Sequence, residues 1–94
     1  MHTVIWTIQP NEGTSRQDME YELEASKADY AGAAGLLHTL LGLSADNKAV
    51  IEISAWESKS AADIFFSRSW ETNLARRWQT APMSRQDWDT LAII

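Results

Sequence analysis

The chain predicts an α+β domain built strand–helix–strand–strand–helix–strand. Three observations carry that prediction. Thr3 to Gln9 and Ala49 to Trp56 alternate in polarity with the period of two expected of strands. Leu36 to Leu43 is a short apolar run between turn signals. Two longer stretches, each opened by a capping Ser or Thr, carry apolar residues at helical spacing.

In the first strand Val4, Trp6 and Ile8 share one face, and Thr3, Ile5 and Thr7 the other. Pro10-Asn11-Glu12-Gly13 is turn chemistry. Thr14-x-x-Gln17 fits a capping box at the start of the first helix, with Ser15-x-x-Asp18 as a rival cap. Met19, Leu23 and Tyr30 lie near one stripe of that helix, helped by Ala25 and Ala28. Ala31-Gly32-Ala33-Ala34-Gly35 is a connector of small residues. The second strand, Leu36 to Leu43, is apolar on both faces and so expects cover on both sides; His38 sits beside Leu36 and Leu40. Ser44 to Lys48 reads as a hairpin turn, because Asp46 and Asn47 tolerate left-handed backbone.

The third strand presents Ile51, Ile53 and Ala55 on one face and Val50, Glu52, Ser54 and Trp56 on the other. Ser58 is placed to cap the next helix. Ala62, Phe66, Trp70, Leu74 and Trp78 recur every four residues. On a 3.6-residue helix that stripe drifts around the axis. A break near Ser67-Arg68-Ser69, with Ser69 recapping, therefore predicts two short helices. Pro82 ends the region, and Asp87 to Ile94 is expected as the last strand. This order is the ferredoxin-like βαββαβ plan, a four-stranded antiparallel sheet in one domain, residues 1–94.

Composition narrows the function. Ninety-four residues, 45% hydrophobic with five Trp, leave more apolar surface than one small domain covers, so a partner is expected, most simply a second copy. Net charge −5 with a lone basic pair, Arg76-Arg77, argues against nucleic acid. No apolar run approaches the roughly 20 residues of a membrane span. The opening Met1-His2-Thr3-Val4 lacks the blocks of a signal peptide. Without Cys there are no disulfides or thiolate ligands, which fits a reducing cytoplasm, the expected location. His2 and His38 are isolated, no phosphate-binding Gly loop occurs, and no Ser sits in a nucleophile elbow, so no metal or nucleotide cofactor is expected.

Ala34-Gly35-Leu36-Leu37, the third strand, Trp56-Glu57-Ser58-x-x-Ala61-Ala62, Phe65-Phe66, Trp70 and Ala81-Pro82 resemble the dimeric α+β-barrel superfamily. Within it they are similar to the small monooxygenases related to antibiotic-biosynthesis monooxygenases. Ala34 stands where many members carry Pro. The resemblance implies two sheets from two protomers closing into a barrel, helices outside, and an apolar pocket between sheet and helices. It implies cofactor-free oxidation of a polyphenol or quinol; other branches degrade haem, isomerise lactones or have no known reaction. Two departures stand out: Ser54 occupies the position where many members have Glu, the acid being Glu52, and Ala61 to Phe66 holds no His.

An oxygenase of this kind needs an apolar cavity, a few polar groups and a base. His38 is the central His and the candidate base; the competing role is a hydrogen-bonded His in a buried interface. Glu52, an acid in mid-strand, is the second catalytic candidate, or else an interface ion-pair partner. Trp6, Trp56, Trp70 and Trp78 are candidate pocket walls for a small aromatic ligand, against the alternative of plain core. Trp88 is expected at the interface, and Tyr30 and Asn11 near connectors. The leading expectation is a homodimeric, cofactor-independent monooxygenase-like protein. The alternative, favoured by the two departures, is a non-catalytic ligand-binding or structural dimer. Haem binding comes third, since only His38 could supply an axial ligand and would do so from a strand.

Overall fold

A computed structural model describes residues 1–94. The elements are β1 (His2–Ile8), α1 (Arg16–Tyr30), β2 (Leu36–Leu43), β3 (Val50–Trp56), α2 (Lys59–Phe65), α3 (Arg68–Arg77) and β4 (Met83–Asp89). The four strands form one sheet in the order β2-β3-β1-β4, antiparallel throughout. The fold is the ferredoxin-like α+β plan, with its second helix split in two. No helix is long and apolar enough to cross a membrane.

Strand parity divides the sheet into two unlike faces. Val4, Trp6 and Ile8 from β1, and Val50, Glu52, Ser54 and Trp56 from β3, are buried. The apolar members of this set pack with Met19, Leu23 and Tyr30 of α1, Ala62 of α2 and Leu74 of α3 in one core. The other face carries Ile5, Ile51 and Ile53 half-buried and Leu40 and Trp88 exposed. Directly paired residues of an antiparallel sheet share a face. Ile53 therefore sits between Ile5 and Leu40, and Trp88 lies beside Thr3.

Several sequence expectations are corrected. A bulge between Leu36 and His38 turns β2 over within its length. Leu36 pairs with Trp56 and packs on the core, whereas His38 and Leu40 pair with Ala55 and Ile53 on the open face. His38 thus does not share a face with Leu36. The last strand is Met83–Asp89, not Asp87 to Ile94, because β1 offers partners only from Ile8 back to His2. Beyond it, Thr90 N–H donates to Met1 O at 3.1 Å, and Leu91, Ile93 and Ile94 are exposed. Ser15, not Thr14, caps α1: its side chain accepts from Asp18 N–H at 3.1 Å, while the Thr14 hydroxyl donates to Asn11 O at 2.7 Å and closes the turn before it.

The break in the second helical region falls where Phe66 leaves helical geometry at φ −84°, ψ 55°. Ser67 then takes the cap position of α3, one turn-residue pair earlier than Ser69. Ser58 caps α2 as expected, accepting from Ala61 N–H at 3.1 Å. The connector before β2 is pinned at Gly35, whose φ is +80°. A Cβ there would lie 2.8 Å from the Cβ of Ala61, so the chain crosses α2 at the one residue able to approach it.

Candidate functional site

Glu52 is the centre of the site. Mid-strand parity aims it at the helices, and it is fully buried. A bare carboxylate there would be costly, so hydrogen bonds must meet it. Residues three to four apart on a helix share a face, and α1 supplies two hydroxyls in this way. Tyr30 donates to Glu52 Oε1 at 2.8 Å and Ser26 to Oε2 at 3.0 Å. Arg77, at the end of α3, donates from Nη1 to Ser26 Oγ at 2.7 Å and from Nη2 to Asp29 Oδ2 at 2.7 Å. Its Nε lies 3.7 Å from Glu22.

Burial pushes the Glu52 carboxyl above the usual carboxylate range. The Tyr30 and Ser26 hydroxyls and the Arg77 charge act against that push, and Asp29 adds to it. Burial, then the nearby Glu52 charge, drives the Tyr30 phenol well above its ordinary value. Tyr30 is therefore a neutral donor, and Glu52 a carboxyl whose proton is held more tightly than in water.

Over this acid lies a cluster of rings. Trp6, Tyr30, Trp56, Phe65, Phe66 and Trp70 touch one another, with centroid separations from 4.6 Å (Phe66–Trp70) to 6.2 Å (Tyr30–Phe66). Tyr30 stacks on Phe65 at 5.3 Å. Trp56 Nε1 donates to Ser54 Oγ at 2.8 Å, but the buried Nε1 of Trp6 has no partner. Phe65 and Trp70 are the half-buried rim of the cluster.

Two clefts reach the cluster's edges. One, about 380 Å³, lies between α1 and β2, lined by Lys27, Tyr30, Ala31, Thr39, Leu40 and Leu41. Its lining is largely apolar, and the buried Thr39 hydroxyl has no hydrogen-bond partner. The second, about 280 Å³, lies between α1 and α3 beside Trp70, Asp29 and Arg77. Tyr30 thus joins Glu52 to the first cleft, and Arg77 joins it to the second. A wider polar cleft of about 590 Å³, near Asn11 and Trp78, also includes Arg77 but is lined mainly by polar and acidic residues. The apolar, Tyr30-lined cleft better suits an aromatic ligand.

No family model and no curated protein matches the chain. Solved structures do. SnoaB, a cofactor-independent oxygenase from Streptomyces nogalater, aligns with TM-score 0.76 over 99% of this chain and 95% of its own, at 12% identity. PA3566 from Pseudomonas aeruginosa aligns with TM-score 0.75 over 97% and 94%, at 22% identity. The monooxygenase from ActVA-Orf6 of Streptomyces coelicolor, solved with nanaomycin D, aligns with TM-score 0.72 over 99% and 89%, at 17% identity. The chain shares the α+β fold of these solved structures, a cofactor-independent oxygenase and a monooxygenase among them. At these identities the likeness is one of fold.

Within that fold the expected site residues separate. Glu52 meets Trp6, Trp56 and Trp70 through Tyr30 and the ring cluster. Trp78 stands apart at the C-cap of α3, buried, its Nε1 also without a partner. His38 lies on the opposite face of the sheet, exposed, so it and Glu52 do not face one cavity. The rings themselves fill the space expected to be a pocket. Sequence reasoning places Tyr30 on the first helix's stripe, near the connector, but not among the catalytic candidates, and it passes over Ser26 and Arg77. The available signal was the spacing Met19, Leu23, Ser26, Tyr30: one buried stripe with two hydroxyls on it, facing a strand that carries an acid.

Proposed function

We propose that the chain is a cofactor-independent monooxygenase-type protein that oxidises a small aromatic or quinol compound as a homodimer. Glu52 is its proton acceptor, with Tyr30 as the group between that carboxyl and the ligand. One observation carries the reading: a buried, proton-avid carboxyl hydrogen-bonded to a Tyr that also lines an apolar cleft. The oxygenases and monooxygenases of the same fold support it.

The chemistry needs no added reductant. An electron-rich ring bearing an acidic CH2 loses a proton to the Glu52 carboxylate by way of the Tyr30 hydroxyl, which takes the ligand's proton as it passes on its own. The resulting carbanion gives electrons to dioxygen and bonds to it, and the peroxide formed takes back the proton from Glu52 by way of Tyr30 to become a hydroperoxide. Loss of water from the hydroperoxide leaves a carbonyl, so that CH2 + O2 becomes C=O + H2O. The carbon supplies four electrons; one oxygen atom enters the product and the other leaves as water. Trp6, Trp56 and Trp70 belong to the packed ring wall behind Tyr30, which is the ring that lines the cleft. Tyr30, stacked on Phe65, presents the ring edge that meets the ligand. For the homodimer, the support is the apolar open face of the sheet with Ile5, Ile51, Ile53, Leu40 and Trp88. We assign His38 to that seam and the protein to the cytoplasm, the latter on its Cys-free sequence.

A second reading, a non-catalytic ligand-binding or structural dimer, is favoured by the mutual packing of the rings. Oxygen uptake with anthrone-type substrates, which carry the acidic CH2, decides between the two. The oxygenase reading expects uptake that falls about 100-fold or more in Glu52→Gln. Saturable quenching of Trp fluorescence by the same compounds without uptake establishes the second reading instead.

A further inference from the structure

The groups acting on Glu52 come from two helices. Tyr30, Ser26 and Asp29 belong to α1 and Arg77 to α3; Glu22, also on α1, acts on Arg77. The flanking strands oppose Glu52 with Trp6 and Leu41, neither of which titrates.

The Ser26 hydroxyl has one proton and two lone pairs. A guanidinium only donates, so Arg77 Nη1 at 2.7 Å occupies a lone pair. The Ser26 proton then has two acceptors in reach, Glu52 Oε2 at 3.0 Å and the Glu22 carbonyl at 3.3 Å. The shorter contact, to a charged oxygen, is the stronger. Arg77 thereby turns Ser26 into a donor toward an ionised Glu52. The fork geometry matters, because Nη2 is fixed on Asp29 at 2.7 Å while Nη1 serves Ser26. The Arg77 side chain is only 20% exposed, so water screens its charge little.

We propose that Arg77 is a positioning residue which, acting through Ser26, holds the Glu52 carboxyl ionised and ready to take a proton from the Tyr30 side. This rests on the role of Glu52 as the base. Without Arg77, Ser26 is free to donate to the Glu22 carbonyl and accept from a protonated Glu52. The carboxyl then waits in its protonated form and cannot act as a base until the pH is higher.

The test is the titration of the Glu52 side-chain carbon by NMR in protein labelled with 13C at Glu Cδ, the signal assigned by its loss in Glu52→Gln. Arg77→Gln is expected to raise the midpoint by about one pH unit, a tenfold gain in proton affinity. Ser26→Ala is expected to raise it too, and the double variant by less than the sum of the singles, since the two residues act in series. Arg77→Lys, which keeps the charge and loses the fork, is expected to fall between wild type and Arg77→Gln. The acid limb of the kcat/KM profile should move upward by the same amount. A midpoint unmoved in a folded Arg77→Gln protein overturns the proposal. If that variant does not fold, an unmoved midpoint in Ser26→Ala overturns it. So does a Glu52 signal that fails to titrate between about pH 4 and 9 in every variant. Full turnover by Glu52→Gln would instead remove the base role, and the titrations would still report whether Arg77 governs the carboxyl.

Discussion

Two single residues bear more than their size suggests. Gly35 combines left-handed backbone with a 2.8 Å approach to Ala61. Gly35→Ala must meet both the unfavourable φ and the clash, so it should destabilise the protein by about 2 kcal/mol in urea unfolding. Gly32, also at positive φ but in open space, should tolerate Ala better. Glu52 couples stability to pH. Its folded-state affinity for the proton is raised by burial, so the folded chain holds that proton more tightly than the unfolded one. Its contribution is fully present below the ordinary carboxylate range and is lost as pH rises through the raised folded value. Glu52→Gln keeps the shape and removes the titration. Relative to this variant, wild-type stability should fall as pH rises from the ordinary carboxylate range through the raised folded value. Asp63, held low by hydrogen bonds from Lys59 and then Arg85, works in the opposite sense but is present in both proteins. It therefore cancels from the difference.

Among the elements, α2 depends most on its cap. It is only seven residues long and buries one side chain, Ala62, completely. A helix so short has little internal support, and the Ser58 bond to Ala61 N–H is a sizeable part of it. Ser58→Ala should cost about 1 kcal/mol in thermal or chemical unfolding. Ser67→Ala should cost less, because Ser67 makes no side-chain cap bond. The elements also differ in how plainly the sequence announced them. β1 and β3 were readable because alternation reports a sheet covered on one side. β4 was not, since its helix-facing positions include Arg85 and Asp87, which resemble a loop until their partners are known. Arg85 pairs with Asp63 and Asp87, each at 2.9 Å, and lies 5.5 Å from the Phe66 ring. The β2 bulge likewise left no mark in an apolar run that looks the same on both faces. At the site, Glu52 stood out as an acid in mid-strand. Ser26 and Arg77 did not, because their meeting depends on how α1 and α3 lie together, 51 residues apart in the chain.

For the whole molecule, the sheet has a helix-covered side and a bare side. An Arg at the middle of the bare side would be buried unpaired in any seam formed there. If the proposed homodimer forms through this side, Ile53→Arg should raise its dissociation constant by about 100-fold or more, read by light scattering across a dilution series. The folded monomer should remain, because the substitution does not touch the ring cluster. β3 has its side chains divided between these two sides: Glu52 and Ser54 look toward the helices, Ile51 and Ile53 away from them. Inserting one residue between Ile51 and Ser54 would exchange the two sets and spoil both at once. The same insertion in the turn at 44–49 leaves the alternation intact. Length changes accumulating in descendants of this chain should gather in that turn and spare the strand after it.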